Sequence, residues 1–281
     1  MSDAETRAYE ALQARQYARA YDGFQAAVAA ADPADADVES RLSLLSCLAQ
    51  CATMLGRLAE ARDAYQRCIT ACDGDACGPR AAAWSIQGDA LHGLAIVCLQ
   101  QGAFDEARAR FEAAFCARER VECWDQAAQS LALLADIERR ADARPAFLAA
   151  VDRTVRFARD HGLARFADGQ QLRRYDAMLQ WDPTSRTAEA IQPEVARLRA
   201  TGADPAFLVD VALLLANHQA RIGDERGARA TYGEARDSAP PDRQWTVHAW
   251  PSRGRSTPRT RSKISRAPRA GSPRSAGPTR C

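Results

Sequence analysis

The stretch Gly102-Ala103-Phe104-Asp105-Glu106-Ala107-Arg108-Ala109-Arg110-Phe111-Glu112-Ala113-Ala114 decides the fold. Glycine tolerates the left-handed backbone that ends a helix. A new helix begins two residues later. Within it Ala107, Phe111 and Ala114 fall at spacings of four and three, which puts them on one helical face. The small residues admit a neighbouring helix and the aromatic fills the gap that remains. The helix before the turn carries Leu91, Leu94 and Ala95, which places a small residue where two antiparallel helices cross.

Three other segments repeat this order. One has Tyr17, Ala20, Phe24 and Ala27, closing at Asp32-Pro33. A second has Gly56, Leu58, Ala61, Tyr65 and Cys68, preceded by Leu45, Leu48 and Ala49. A third has Gly223, Glu225, Ala228, Tyr232 and Ala235, closing at Pro240 and preceded by Ala212, Leu215 and Ala216. The gap between Ala107 and Ala228 holds three steps of about 40 residues, so two weaker units belong in it. One runs from Trp124 through Leu131, Leu134 and Ala135, restarts at Pro145 with Phe147, Val151 and Val155, and closes at His161-Gly162. The other runs from Leu163 to Trp181, restarts after Asp182-Pro183-Thr184 and ends near Gly202. Pro193 lies inside its second helix and predicts a kink or break.

This pattern resembles the tetratricopeptide repeat family. The period exceeds the family's usual 34 residues, and the usual first-helix aromatic is missing. In these respects the chain is similar to the longer-repeat arrays of bacterial signalling proteins. The resemblance implies an all-α, right-handed α-solenoid of about six helix–turn–helix repeats over residues 1–240. Residues 241–250 read as the start of a further repeat helix and 251–281 as a disordered basic tail.

Composition agrees with that class. Hydrophobic residues are 47% of 281, many of them alanine, the best helix former. β-Branched residues are scarce, which argues against a sheet. The net charge is +2, yet the tail alone carries nine basic residues and no acid, leaving about −7 on the first 250. Lysine occurs once, at Lys263, which points to the codon usage of a GC-rich gene. Three readings compete for the tail: an arm touching nucleic acid, a solvated end without a role, and the product of a shifted reading frame or truncated gene. The third is favoured, because a GC-rich gene read out of frame yields this Arg, Pro, Ser, Gly and Ala mixture.

The start is acidic and polar, unlike a secretory signal. The longest strongly apolar run, Val211–Ala216, is too short to cross a bilayer. Nine cysteines in a chain of this length do not make a disulfide scaffold. A cytoplasmic location without membrane contact is therefore expected. Phosphate-loop, dinucleotide, nucleophile-elbow and zinc-protease motifs are missing, so the chain is read as no enzyme, with no cofactor and no metal. Asp73–Gly78 begins like a calcium loop but has Cys77 and Trp84 where oxygen ligands are needed. Cys47, Cys51, Cys68 and Cys72 sit on two neighbouring helices, where core packing is the stronger reading.

The resemblance further implies a partner peptide or protein on the concave face lined by the first helices. Carried over by position, that face offers Ser43, Ser46, Gln50, Thr53 and Met54; then Asp89, His92, Ile96, Leu99 and Gln100; then Asp210, Leu213, Asn217 and Arg221. Only Asn217 and Arg221 echo the clamp that holds acidic chaperone tails, so a less charged peptide or helix is expected. The expected function is a protein–protein interaction scaffold, regulatory or sensing. The alternative is the N-terminal part of a signalling kinase, nucleotide cyclase or transcription regulator with its output domain missing. Neither the oligomeric state nor the pathway is legible.

Overall fold

In a computed structural model of the chain, residues 3–30, 38–72 and 80–241 are described. They form helices and turns, with no strand among the described residues. Twelve helices pair in sequence: α1 (Asp3–Gln13) with α2 (Tyr17–Ala30), α3 (Val38–Met54) with α4 (Leu58–Cys72), and α5 (Arg80–Gln100) with α6 (Phe104–Arg120). Then come α7 (Trp124–Arg140) with α8 (Arg144–Asp160), α9 (Ala164–Trp181) with α10 (Ser185–Ala200), and α11 (Pro205–Arg221) with α12 (Glu225–Ser238). Each helix packs on its sequence neighbours, and first helices also touch across units, as in α3 with α5 and α9 with α11. This is the repeat stack that the sequence predicts. The expectations for the Asp73–Gly78 loop and for residues 242–281 lie outside the described residues.

The fourth residue of every second helix is buried: Ala20, Ala61, Ala107, Phe147, Ala188 and Ala228. In three of the units a fully or nearly buried aromatic follows four residues on, at Phe24, Tyr65 and Phe111. In α8 the sizes are exchanged, with Phe147 at the small position and Val151 at the large one, both sealed in the core. Exchanging volumes between facing positions keeps the total and preserves packing. Thr154 takes the next small position and its hydroxyl donates to the Ala150 carbonyl at 2.8 Å, so the buried oxygen is satisfied.

Eight of the described links carry a residue with positive φ at their second position: Arg15, Gly56, Gly102, Glu122, Asp142, Gly162 and Gly223 in three-residue turns, and Gly202 in the four-residue link between α10 and α11. The residue after it donates back across the helix end, as Ala103 N–H does to the Cys98 carbonyl at 2.9 Å and Ala143 N–H to that of Glu138 at 3.0 Å. That bond satisfies a carbonyl which the helix end leaves open. Arg15, Glu122 and Asp142 adopt this conformation without the freedom of glycine, at about 1–2 kcal/mol each. The geometry of the stack imposes the turn even where the sequence does not favour it.

Two findings revise expectations, and a third concerns the links between repeats. Helix α10 runs unbroken through Pro193. Pro193 and Glu189, whose carbonyl loses its donor, are both exposed, so water can meet that carbonyl. Within α5, the stretch Ala82–Gln100 is long and apolar enough to cross a membrane by length and composition, a longer apolar segment than the sequence reading recognised. Here, however, Leu91, Leu94, Val97 and Cys98 are buried in the core cluster, and Asp89 on the same helix is ion-paired. The repeat-to-repeat polar links are also incomplete. Tyr21 bonds Glu60, and Arg62 pairs with Glu106 at 3.0 Å, joining α2 to α4 and α4 to α6 at equivalent positions. The next acceptor position is Ala146, so Arg108 turns to Glu138 on α7 at 2.9 Å instead.

Candidate functional site

The first helices α9 and α11 lie side by side and leave a groove between them. Its first part, about 450 Å³, is lined from α9 by Arg165, Asp168, Gly169 and Leu172 and from α11 by Pro205, Ala206, Phe207 and Asp210, with Asp204 and Pro240 at its margin. A second part of about 480 Å³ shares Gly169, Leu172 and Asp210 and continues to Asp176, Leu213, Leu214 and Asn217. Gly169 faces open space there, with nothing within 4 Å of where a Cβ would stand. Its floor is aliphatic and aromatic, and its rim is acidic. Burial raises the Asp168 carboxyl above the ordinary range; Arg159 acts against this, and the nearby Asp204 adds to it. Asp204 also caps α11, accepting from the Ala206 N–H at 3.0 Å. Of the basic residues, Arg173 is already engaged with Asp136 and Gln170.

Asp210, Leu213 and Asn217 are thus brought together at the groove, where the sequence expected a binding face. Arg221 is diverted from the clamp role, because its guanidinium donates to the Leu179 carbonyl at 2.8 Å and ties α11 to the end of α9. In the second unit Ser43, Gln50 and Met54 are exposed, while Ser46 and Thr53 are half-buried. The Thr53 hydroxyl donates to the Ala49 carbonyl at 2.8 Å. In the third unit Gln100 is exposed and Ile96 half-buried, but Leu99 is buried at 8% exposure within the core cluster and offers nothing to a ligand. The α9 wall was missed, since its weak repeat gives no register from which to place Asp168 or Leu172.

Asp89 and His92 belong to a network instead. Arg118 on α6, only 4% exposed, reaches Asp89 at 2.8 Å, His92 Nδ1 at 2.9 Å, Ser130 Oγ at 2.8 Å and the Gln126 carbonyl at 3.0 Å. The imidazole also stacks edge-on against Phe111 at 5.3 Å. Burial, then the Arg118 charge, push the His92 pKa down to about 3. Its ring is therefore neutral at neutral pH, and Nδ1 accepts from Arg118. An unfolded histidine titrates near 6.5. Between those values the unfolded state holds the extra proton, so stability falls as pH falls through that window. We expect urea unfolding of the wild type to lose up to about 1.4 kcal/mol per pH unit to this group, and His92→Asn to lose about one proton's worth less. Equal slopes for the two proteins from pH 6.5 to 4 would remove His92 from the account.

Among the described residues, His161, His218 and the buried thiols of the second unit are held by packing and hydrogen bonds. His161 stacks on Trp124 at 3.9 Å beside Phe157, and His218 Nε2 meets the Thr184 carbonyl at 3.1 Å. Burial raises the thiols of Cys47, Cys51 and Cys68, the last two to about 11 and about 12, so they stay protonated. Among the described residues no three His, Cys, Asp or Glu side chains converge as metal donors.

No protein-family profile matches the chain, and no curated protein matches it in sequence. Solved structures do match in shape. An aspartyl phosphate phosphatase F from Bacillus subtilis superposes with a TM-score of 0.53 at 14% identity, over 84% of this chain and 58% of its own. The apo form of RapI gives 0.53 at 10% identity, over 84% of this chain and 82% of its own. BtubC from P. vanneervenii gives 0.53 at 14% identity, over 99% of this chain and 100% of its own. This chain thus spans 58% of the length of the first. Such identities establish the architecture alone. By fold, the chain is a tetratricopeptide-like helical repeat protein.

Proposed function

We propose that the protein is a binding scaffold that holds a peptide or helix of a partner protein along the first helices, with the α9–α11 groove as its principal contact. One observation carries this reading: a continuous groove with an apolar floor of Leu172, Phe207, Leu213 and Leu214 and polar residues at its edges. Grooves of that kind suit a helix or extended segment, because apolar contacts supply affinity and the rim fixes orientation. We assign it a regulatory or sensing role in the cytoplasm, as a longer-repeat relative of bacterial signalling arrays. The free thiols among the described cysteines favour a reducing compartment.

The test compares the full chain with Leu213→Arg as bait against extract of the native host. Leu213 is half-buried and lines the groove, so arginine there obstructs it without filling the core. A scaffold of this kind retains a defined partner that the variant releases. Retention of the same proteins by both, at equal yield, would refute the assignment.

A further inference from the structure

We infer that the α9–α11 groove is a docking site for the basic C-terminal segment of this same chain. Three observations converge. Pro240 lines the groove, so the chain leaves the last described helix at its margin. Forty residues follow Pro241, and ten of them extended already span about 33 Å, enough to reach any part of the groove. The chemistry of segment and groove is complementary in order as well as in kind. Trp245, Val247 and Trp250 come first and match the apolar floor; nine basic residues and no acid follow from Arg253 onward.

The rim is short of positive charge. Asp168 and Asp204 line the same end of the groove, where the Asp204 charge adds to the burial that raises the Asp168 carboxyl, and Asp210 lines both parts of the groove. Arg165 lines that end and the Arg159 charge also acts on Asp168, while Arg173 is turned to Asp136. A guanidinium entering there lowers the repulsion between the carboxylates and forms charge-assisted hydrogen bonds. Tethering makes the event intramolecular, so even a weak contact is populated at the millimolar effective concentration of a short linker. An external ligand of the groove then has to displace the segment. The inference stands whether or not such a ligand exists, and its test does not involve one.

The experiment is limited trypsin cleavage of the full chain, followed by intact mass, with a synthetic peptide of residues 242–281 as the reference. At about 0.05 M salt, where exposed charges still interact over more than 10 Å, we expect cleavage after the tail arginines to be at least about tenfold slower in the chain than in the peptide. Asp168→Asn with Asp204→Asn restores the peptide rate, and asparagine at 204 still caps α11. Arg253→Gln with Arg255→Gln and Arg259→Gln does the same at the remaining sites without touching the folded body. Salt at about 1 M abolishes the difference. Equal rates in wild type and peptide overturn the inference. So does protection that survives the aspartate changes, or protection that grows with protein concentration, which would mean that a second copy fills the groove.

Discussion

Replacing Arg118 with methionine is expected to lower the unfolding free energy by about 3–5 kcal/mol, the range seen when one partner of a buried ionic network is removed. The guanidinium joins three helices at once. It holds Asp89 and His92 on α5 and Ser130 and the Gln126 carbonyl on α7, all from α6. Methionine matches much of the stem but removes the guanidinium donors, leaving the Ser130 hydroxyl only its longer contacts to the Gln126 carbonyl at 3.3 Å and His92 Nδ1 at 3.2 Å, and an unmade buried bond costs more than a made one gains. Asp89 escapes part of the cost, since its side chain is 44% exposed and can turn to water. Ser130 cannot, being fully enclosed. Lysine is not a substitute, because one ammonium cannot reproduce the fork that meets four acceptors in different directions. Urea unfolding of Arg118→Met and Arg118→Lys decides the matter. Both should be destabilised, the lysine variant by somewhat less. A loss below about 1 kcal/mol for methionine would show that the network contributes specificity rather than stability.

How much of this could be read in advance depended on how each unit writes its repeat. Units one, two, three and six follow the small–aromatic–small order, so their helices and turns were visible as a pattern of spacings. Unit four hides it, because Phe147 and Val151 exchange sizes and the volume is conserved only in three dimensions. Unit five hides it further. Its eighth second-helix position is the exposed Gln192, and Ile191 takes the core place beside it. The groove shows the same division. Its α11 wall, Asp210, Leu213 and Asn217, came from a unit with clear register, while its α9 wall came from the unit without one. The Arg118 network was illegible for another reason. Its members lie 8 to 29 residues from Arg118 and include a main-chain carbonyl, a partner that no side-chain pattern announces. Leu99 was misplaced because carry-over by position does not fix which way a residue near a helix end faces, and here it is buried in the core cluster.

The second large effect concerns a residue that the repeat pattern passed over. Gly93 sits in the middle of α5, where glycine costs about 1 kcal/mol relative to alanine. Propensity alone predicts that Gly93→Ala stabilises. The packing predicts the reverse. A Cβ at this position would stand 2.2 Å from Cζ of Tyr65 and 2.5 Å from its hydroxyl oxygen. Tyr65 is buried on α4, at 5% exposure, and its ring is the aromatic filler of the second unit. It cannot swing away without opening a cavity beside Cys68 and Ile69, which are also buried. Overpacking of this kind costs about 1–3 kcal/mol, and more where the neighbour is rigid. We therefore expect Gly93→Ala to destabilise by about 3 kcal/mol despite its better helix propensity. Tyr65→Leu shortens the obstructing side chain and should cost about 2 kcal/mol by itself. In the double variant the clash is gone, so the combined loss falls short of the sum by about 1–2 kcal/mol. That coupling is the discriminating quantity, because two independent defects would simply add. A stabilised Gly93→Ala, or strict additivity with Tyr65→Leu, would mean that α4 and α5 can separate at no cost. The second and third repeats would then not be locked together by this contact.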